Sequence, residues 1–360
     1  MKIKLPQIPN NFFSFNRKYL KETLIKVFLF LSAILAVVVI FSILFYLFIE
    51  AYPAFEKIGL WNFLSGMKWK PEGIIYGFEP SFGALPLIAG TIICTLGAML
   101  IAVPLSIGSA IFIAELAPPK IKALAKPTVE LLAGIPSVVY GFFGLLVLTN
   151  WFRVSFNLAS GEGWFAGAFL LGIMALPTIT SVAEDAISSV PQHYKEGSLA
   201  VGATRWQTIS KVVLPSSLSG ITAAIILGIG RAIGETMAVL MVTGNTPLIP
   251  IINNPFSTVR TLTGTIAIEM GEAPAGSLWP NALFALAFIL LIITLAINLT
   301  SNIILKKLKE KHMAESTKTK KKRSFIKNHF QKLKKQINII FIIIGLLLLF
   351  LIFGIFVTLL

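Results

Sequence analysis

Charge is scarce in this chain. Of 360 residues, 13% are charged and 56% hydrophobic, where a soluble globular domain carries roughly 25% charged residues. The mean hydropathy of +0.83 agrees. Length alone suggests two or three soluble domains; the composition excludes them and requires a polytopic membrane protein. Cysteine is nearly absent. Cys94 is the only one, and it lies in an apolar run, which excludes disulfides and thiolate metal sites. The three histidines, His193, His312 and His329, are scattered. Without an HExxH or paired-His spacing, hydrolytic zinc chemistry and a Cys–His nucleophile are not expected. No Gly-Lys dipeptide occurs, so no GxxxxGK[ST] phosphate loop exists and ATP is not bound in that way. No metal site is therefore expected.

Basic residues, by contrast, are abundant. The net charge is +15, which in a soluble protein would suggest nucleic acid. Position decides otherwise. Residues 306–335 hold thirteen Lys and Arg against Glu310 and Glu315, so +11 of the +15 sits in one stretch next to apolar segments. Such a stretch is expected beside anionic lipid headgroups, and no nucleic-acid partner is expected.

A spanning helix needs roughly 20 mostly apolar residues. The first is expected at 27–49. It is too long for a signal-peptide core and no small-x-small cleavage site follows it. Residues 50–83, rich in Trp, Pro and Gly, read as an extramembrane loop with some structure. Residues 80–114 carry no charge, and Pro104 is expected to break them into a span and a shorter continuation. Further spans are expected at 127–151, 164–183, 220–242 and 281–305, and a seventh apolar segment at 337–360. Lys and Arg concentrate before helix one, at Lys120–Lys126, at 184–219 and at 306–335. The positive-inside rule puts these segments and the N-terminus in the cytoplasm. The expected fold is all-α, a polytopic transmembrane bundle of six helices with one extra C-terminal transmembrane helix. The expected organisation is 1–83 (N-terminal segment, first helix and outer loop), 84–305 (core), 306–336 (Lys-rich linker) and 337–360 (additional helix).

Two constellations stand out. Residues 191–215, PQHYKEGSLAVGATRWQTISKVVLP, place Glu196 before two small residues, Gly197 and Ser198. Gly202 and Ala203 follow, then Leu214-Pro215. Glu196 to Ala203 can form a short amphipathic helix. Gly202 permits a turn, and Pro215 can open the next element, where a missing N–H costs nothing. The second constellation lies inside the fifth span. Arg231 and Glu235, four apart, would share one helical face, with Thr236 next to them. An Arg near the bilayer centre costs about 2.5–3.5 kcal/mol, so the charges must pair or face a polar cavity. Gly230 and Gly234 make a small-xxx-small step for close helix approach. A structural salt bridge is one reading. The other is an anion site, because the guanidinium fork matches a tetrahedral oxyanion, with Glu235 orienting Arg231 while the pathway is empty. Three further acids are weaker candidates. Glu130 reads as a first-turn residue favoured by the helix dipole. Glu184 and Asp185 end the fourth helix, where they meet a partner or the loop, or form a solvated pair.

The 191–215 spacing resembles the EAA loop of ABC importer permeases, with Gly197 and Ser198 in place of two alanines. GRAIGETMAVLMVTGN (230–245), LLAGIPSVVYGFFGLL (131–146), ALPTITSVAEDAI (175–187) and the two motifs within 82–116 resemble phosphate importer permeases. Met237-Ala238-Val239 and the Trp/Pro-rich stretch 60–82 look C-type. The similarity covers about residues 20–305. It implies a type I ABC importer permease core in a bacterial or archaeal plasma membrane. It implies import of inorganic phosphate, delivered by an extracytoplasmic phosphate-binding protein. Its implied partners are a second, A-type permease and a cytoplasmic ATPase dimer docked on the EAA loop; that dimer uses the ATP. The alternatives are the same machine for molybdate, sulfate or a phosphonate, and a non-transporting scaffold in phosphate sensing. Residues 337–360 are read either as the first helix of an interrupted second permease module or as an anchoring seventh helix.

Overall fold

The computed structural model describes the backbone of residues 17–317, and side chains for 25–300 and 303. The expected segment 337–360 and most of the Lys-rich stretch lie outside the described residues. The chain divides between Ser301 and Asn302 into two compact units. The following concerns the first.

Among the described residues, six helical stretches are long and apolar enough to cross a membrane: Ile25–Ile58, Leu85–Leu116, Ser137–Ser155, Trp164–Ser188, Arg205–Gly234 and Leu278–Thr300. The first belongs to α1 (Arg17–Ile58). The most apolar stretch of α1 has no buried residue, as suits a helix surrounded by hydrocarbon. Only its far end is packed, through Ala51 and Ala54. The outer stretch carries the structure expected of it. It holds α2 (Leu60–Ser65), α3 (Gly73–Tyr76) and an antiparallel pair, β1 (Trp69–Lys70) with β2 (Ser81–Phe82).

Pro104 does not break the second span. Helix α4 (Leu85–Ile111) runs through it and ends in a wide π turn at Phe112–Leu116. Proline is tolerated inside spanning helices when neighbours and local widening satisfy the freed backbone groups. Pro136 does break the third. Helix α5 (Pro119–Ala133) stops there, and the span itself is built from α6 (Ser137–Phe143), a π turn (Gly144–Leu148) and α7 (Thr149–Ser155). Proline biases the residue before it away from helix, and Pro136 itself is extended, with ψ 139°.

Helix α8 (Trp164–Ser188) is the most buried span and contains Pro177 without interruption. Next come α9 (Gln192–Ala200) and α10 (Arg205–Thr208). A π turn (Ile209–Val213) then feeds α11 (Leu214–Gly234). The fifth span therefore stops at Gly234 rather than running to 242; the chain resumes as α12 (Met237–Val242). Helix α13 (Leu262–Glu269) precedes α14 (Leu278–Thr317), which is longer at both ends than the expected 281–305.

Helices α4, α8 and α11 form the central core around Cys94, Ala98, Ala102, Leu171, Ile179, Ala183 and Ala224. Small residues set its spacing. A methyl on Gly220 would stand 2.3 Å from Ala186 Cβ, and one on Gly228 2.5 Å from Ile179 Cδ1. Close approach of α11 to α8 thus uses Gly220, Ala224 and Gly228. At the step expected at Gly230 and Gly234, no helix of this chain approaches: neither has an atom within 4 Å of a Cβ position.

Candidate functional site

The Arg231–Glu235 region is built on a broken helix. Because α11 ends at Gly234, Glu235 is extended (φ −69°, ψ 131°), and the two residues do not sit on one continuous helical face. They form no ion pair. Arg231 Nη1 donates to Thr178 Oγ1 of α8 at 2.7 Å. The Glu235 carboxylate accepts from the backbone N–H groups of Thr236 (3.2 Å) and Ala238 (3.5 Å), at the start of α12. Such a contact satisfies donors that a helix start leaves open. The Glu235 carbonyl freed by the break accepts from the Thr263 hydroxyl of α13 at 2.9 Å. The Thr236 hydroxyl donates to Gly234 O at 3.3 Å. Orientation of Arg231 thus falls to Thr178, and Glu235 holds the break. Arg231 and Glu235 still border one shallow depression, with Leu171, Met174, Ala175 and Ala232. Arg231, Glu235 and Thr236 are all half-buried. The guanidinium makes one side-chain hydrogen bond, which leaves several donors in its fork for an oxyanion.

The loop at 191–215 is two short helices joined by a tight turn. The first is Gln192–Ala200, not 196–203. Gly202 takes φ +87°, a left-handed conformation that glycine adopts without the Cβ penalty. The Ala203 N–H closes the turn onto Ser198 O. A reciprocal cap at Thr204 and Gln207 starts α10. Pro215 lies in the first turn of α11, but the preceding residues are already helical. A π turn at Ile209–Val213 leads into it, so no separate element opens there. Leu214 packs against the central core. Glu196 and Gly197 are exposed, and Ser198 Oγ lies 3.0 Å from Thr208 Oγ1. Tyr194, Leu199, Val201 and Trp206 leave an apolar surface on this loop, with Val201 84% exposed.

Glu115 was not singled out by the sequence. It sits in the π turn ending the second span. Its carboxylate meets Lys195 Nζ at 2.5 Å, and its carbonyl accepts from Arg205. Its one visible signal was being the first charge after the uncharged run 80–114.

The weaker candidates separate. Glu130 is exposed in the last turn of α5, not in a first turn, so the dipole argument for it fails. Glu184 is not a solvated residue. It is 2% exposed and bridges Lys122 (3.1 Å) and Lys126 (2.7 Å), with Ser188 Oγ donating at 2.7 Å. Asp185 is exposed and meets Lys126 at 2.6 Å. Hydrogen bonds to Asp185 and Glu184 raise the Lys126 pKa above its ordinary value. Together these contacts tie α5 to the end of α8.

At the other end of the bundle lies a second buried carboxylate that the sequence did not mark. Glu269 accepts from Trp69 Nε1 (2.9 Å), Trp279 Nε1 (2.9 Å) and Arg260 Nη1 (2.6 Å). It joins the β1 segment, α13 and α14. Burial raises its pKa above the ordinary carboxylate value, more than Trp69, Trp279 and Arg260 lower it; Glu72 adds to the rise. Among the described residues no group of three His, Cys, Asp or Glu is placed to hold a metal ion.

The family model described as "binding-protein-dependent transport system inner membrane component" matches residues 102–311. This chain belongs to that family. It is a multi-pass membrane permease component. Within the family, it is 39% identical over 285 residues to the phosphate transport system permease protein PstC of Mesorhizobium japonicum, covering 74% of this chain and 84% of that one. It is 34% identical over 318 residues to PstC of Haemophilus influenzae, covering 82% and 98%. The probable ABC transporter permease YqgH of Bacillus subtilis is 43% identical over 233 residues, 65% of this chain and 74% of that one. A bacterial ABC transporter involved in the import of alginate shares the fold, with a TM-score of 0.54 at 18% identity over 80% of this chain and 99% of that one. The type I permease core expected from the resemblance is thereby borne out.

Proposed function

We propose that this chain is the C-type permease subunit of an ATP-driven, binding-protein-dependent importer of inorganic phosphate. The observation that carries the reading is the likeness to PstC permeases over as much as 82% of the chain. In this reading the chain is not itself an enzyme. The ATP is used by a separate cytoplasmic ATPase dimer docked on the apolar surface of Tyr194, Leu199, Val201 and Trp206. A second, A-type permease completes the pathway, and an extracytoplasmic binding protein delivers the anion. The N-terminus lies in the cytoplasm, in agreement with the Lys and Arg distribution.

Closure of the ATPase dimer moves the loop at 191–215, and the pathway beside α11 opens to the other side. Arg231 meets the dehydrated anion through a charge-assisted fork. The free donors of its guanidinium support this role, as does its seat on the indentation it shares with Glu235. Thr236 borders the same break.

Labelled phosphate uptake by vesicles holding the complete complex tests the reading. The expected result is ATP-dependent uptake that excess molybdate, sulfate or methylphosphonate leaves in place. Uptake suppressed by one of those anions, with phosphate ineffective as a competitor, overturns phosphate as cargo.

A further inference from the structure

We infer that Glu115 is the latch through which the loop helices α9 and α10 move the second membrane span, and that it positions them by binding a cation on either side of the Gly202 turn. Lys195 on α9 reaches its carboxylate, and Arg205 on α10 reaches its backbone carbonyl. These partners are 80 and 90 positions away in sequence. The remaining side-chain hydrogen bonds of α9 and α10 are internal to the loop: Ser198 with Thr208, and the reciprocal pair of Thr204 with Gln207. Among the described residues, every polar side-chain contact that α9 and α10 make outside the loop 191–215 therefore ends on Glu115.

The ion pair is shielded, with Lys195 16% and Glu115 11% exposed, so it is weakened little by salt. The loop is otherwise joined to the bundle at Pro191 and through the π turn into α11, where Val213 and Leu214 pack on the central core. A force applied to the exposed face of α9 reaches α8 and α11 covalently. It reaches α4 through Glu115. The π turn at Phe112–Leu116 gives that residue a wider, less regular helix end; such turns recur at moving or functional positions. The latch thus ties the loop to the span that packs most extensively on α8.

The inference rests on the reading of α9 as the ATPase-docking helix. The test uses the complete complex in vesicles, with its binding protein carrying phosphate. In Glu115→Gln, the ATPase subunits are expected to co-purify in the wild-type ratio, while phosphate delivered per ATP hydrolysed falls roughly tenfold. Lys195→Glu is expected to give the same loss. Joining it to Glu115→Lys, which reverses the pair, is expected to restore the ratio to within about twofold of wild type. A wild-type delivery ratio in Glu115→Gln overturns the latch. So does loss of the ATPase subunits from that complex, which would make Glu115 a folding or docking residue. If Glu115→Gln does not accumulate, Lys195→Met on the exposed helix carries the test, and a normal ratio there overturns the latch as well. Val201→Asp separates this inference from the docking reading. ATPase subunits that still co-purify with Val201→Asp refute docking at this face, whereas a normal ratio in Glu115→Gln refutes only the latch.

Discussion

Glu269 and Arg231 are both ionisable groups set among apolar helices, yet they are wired in opposite ways. Glu269 is closed off. Two indole N–H groups and a guanidinium converge on its two oxygens, and it is 5% exposed. Arg231 is open. It holds one hydroxyl and faces an indentation, and the carboxylate four residues on is occupied with backbone N–H groups. Glu184 stands between them, buried itself but held by lysines that are 35–38% exposed. A buried charge whose bonding capacity is filled belongs to the scaffold. One left with unused donors in a half-buried setting is available to a ligand.

The largest effect should come from the open site. Arg231→Ala is expected to lower phosphate uptake by about a hundredfold or more, while the melting temperature of the purified protein stays near wild type. Normal uptake would place Arg231 with the scaffold residues and erase the contrast. The closed site should fail in the opposite sense. Glu269→Ala strands Arg260 and two indole N–H groups in a buried place, and is expected to cost about 3–5 kcal/mol, seen as a lowered melting temperature. An unchanged melt would show that the cluster is not structural.

Glu184→Ala should lie lower. Its lysines can turn to water, so the expected loss is about 1–2 kcal/mol, again by thermal melting. A loss as large as that of Glu269→Ala would show that lysine exposure does not soften the break. The smallest effect is the pH dependence. A raised acid pKa means that the folded state holds the Glu269 proton more tightly than the unfolded one. Stability is then greatest below the ordinary carboxylate range and declines as pH rises through the window above it. The Lys126 pKa is also raised. Its contribution is present in full below the ordinary lysine value and lost only above it, so it is flat from acid to neutral pH. The melting difference between wild type and Glu269→Gln should therefore drift as pH rises above the ordinary carboxylate range toward neutrality, and that for Lys126→Met should not. Equal drift in both would remove the distinction.

Much of the fold was legible because hydrocarbon imposes a simple rule: long uncharged runs become helices. Four of the six expected spans, at 27–49, 80–114, 164–183 and 281–305, fall within or nearly on the helices observed. The errors cluster at prolines and at the charged pair. Pro104 and Pro136 look alike in sequence, but one is absorbed by its helix and the other ends one. Four-residue spacing put Arg231 and Glu235 on one face only if the helix continued. It stops at Gly234, and Thr263, from a distant helix, satisfies the Glu235 carbonyl that the break frees.

Local composition by itself determined the membrane class, the six spans among the described residues, the loop with its Gly202 turn, and the presence of charge inside the fifth span. These depend on hydrophobic content and backbone preference, which are properties of short segments. Tertiary structure alone decided which charges are spent and which are free. The partners of Glu115, Glu184, Arg231 and Glu269 include residues 53 to 200 positions away. A side chain's bonding is settled only when the helices that carry its partners have packed.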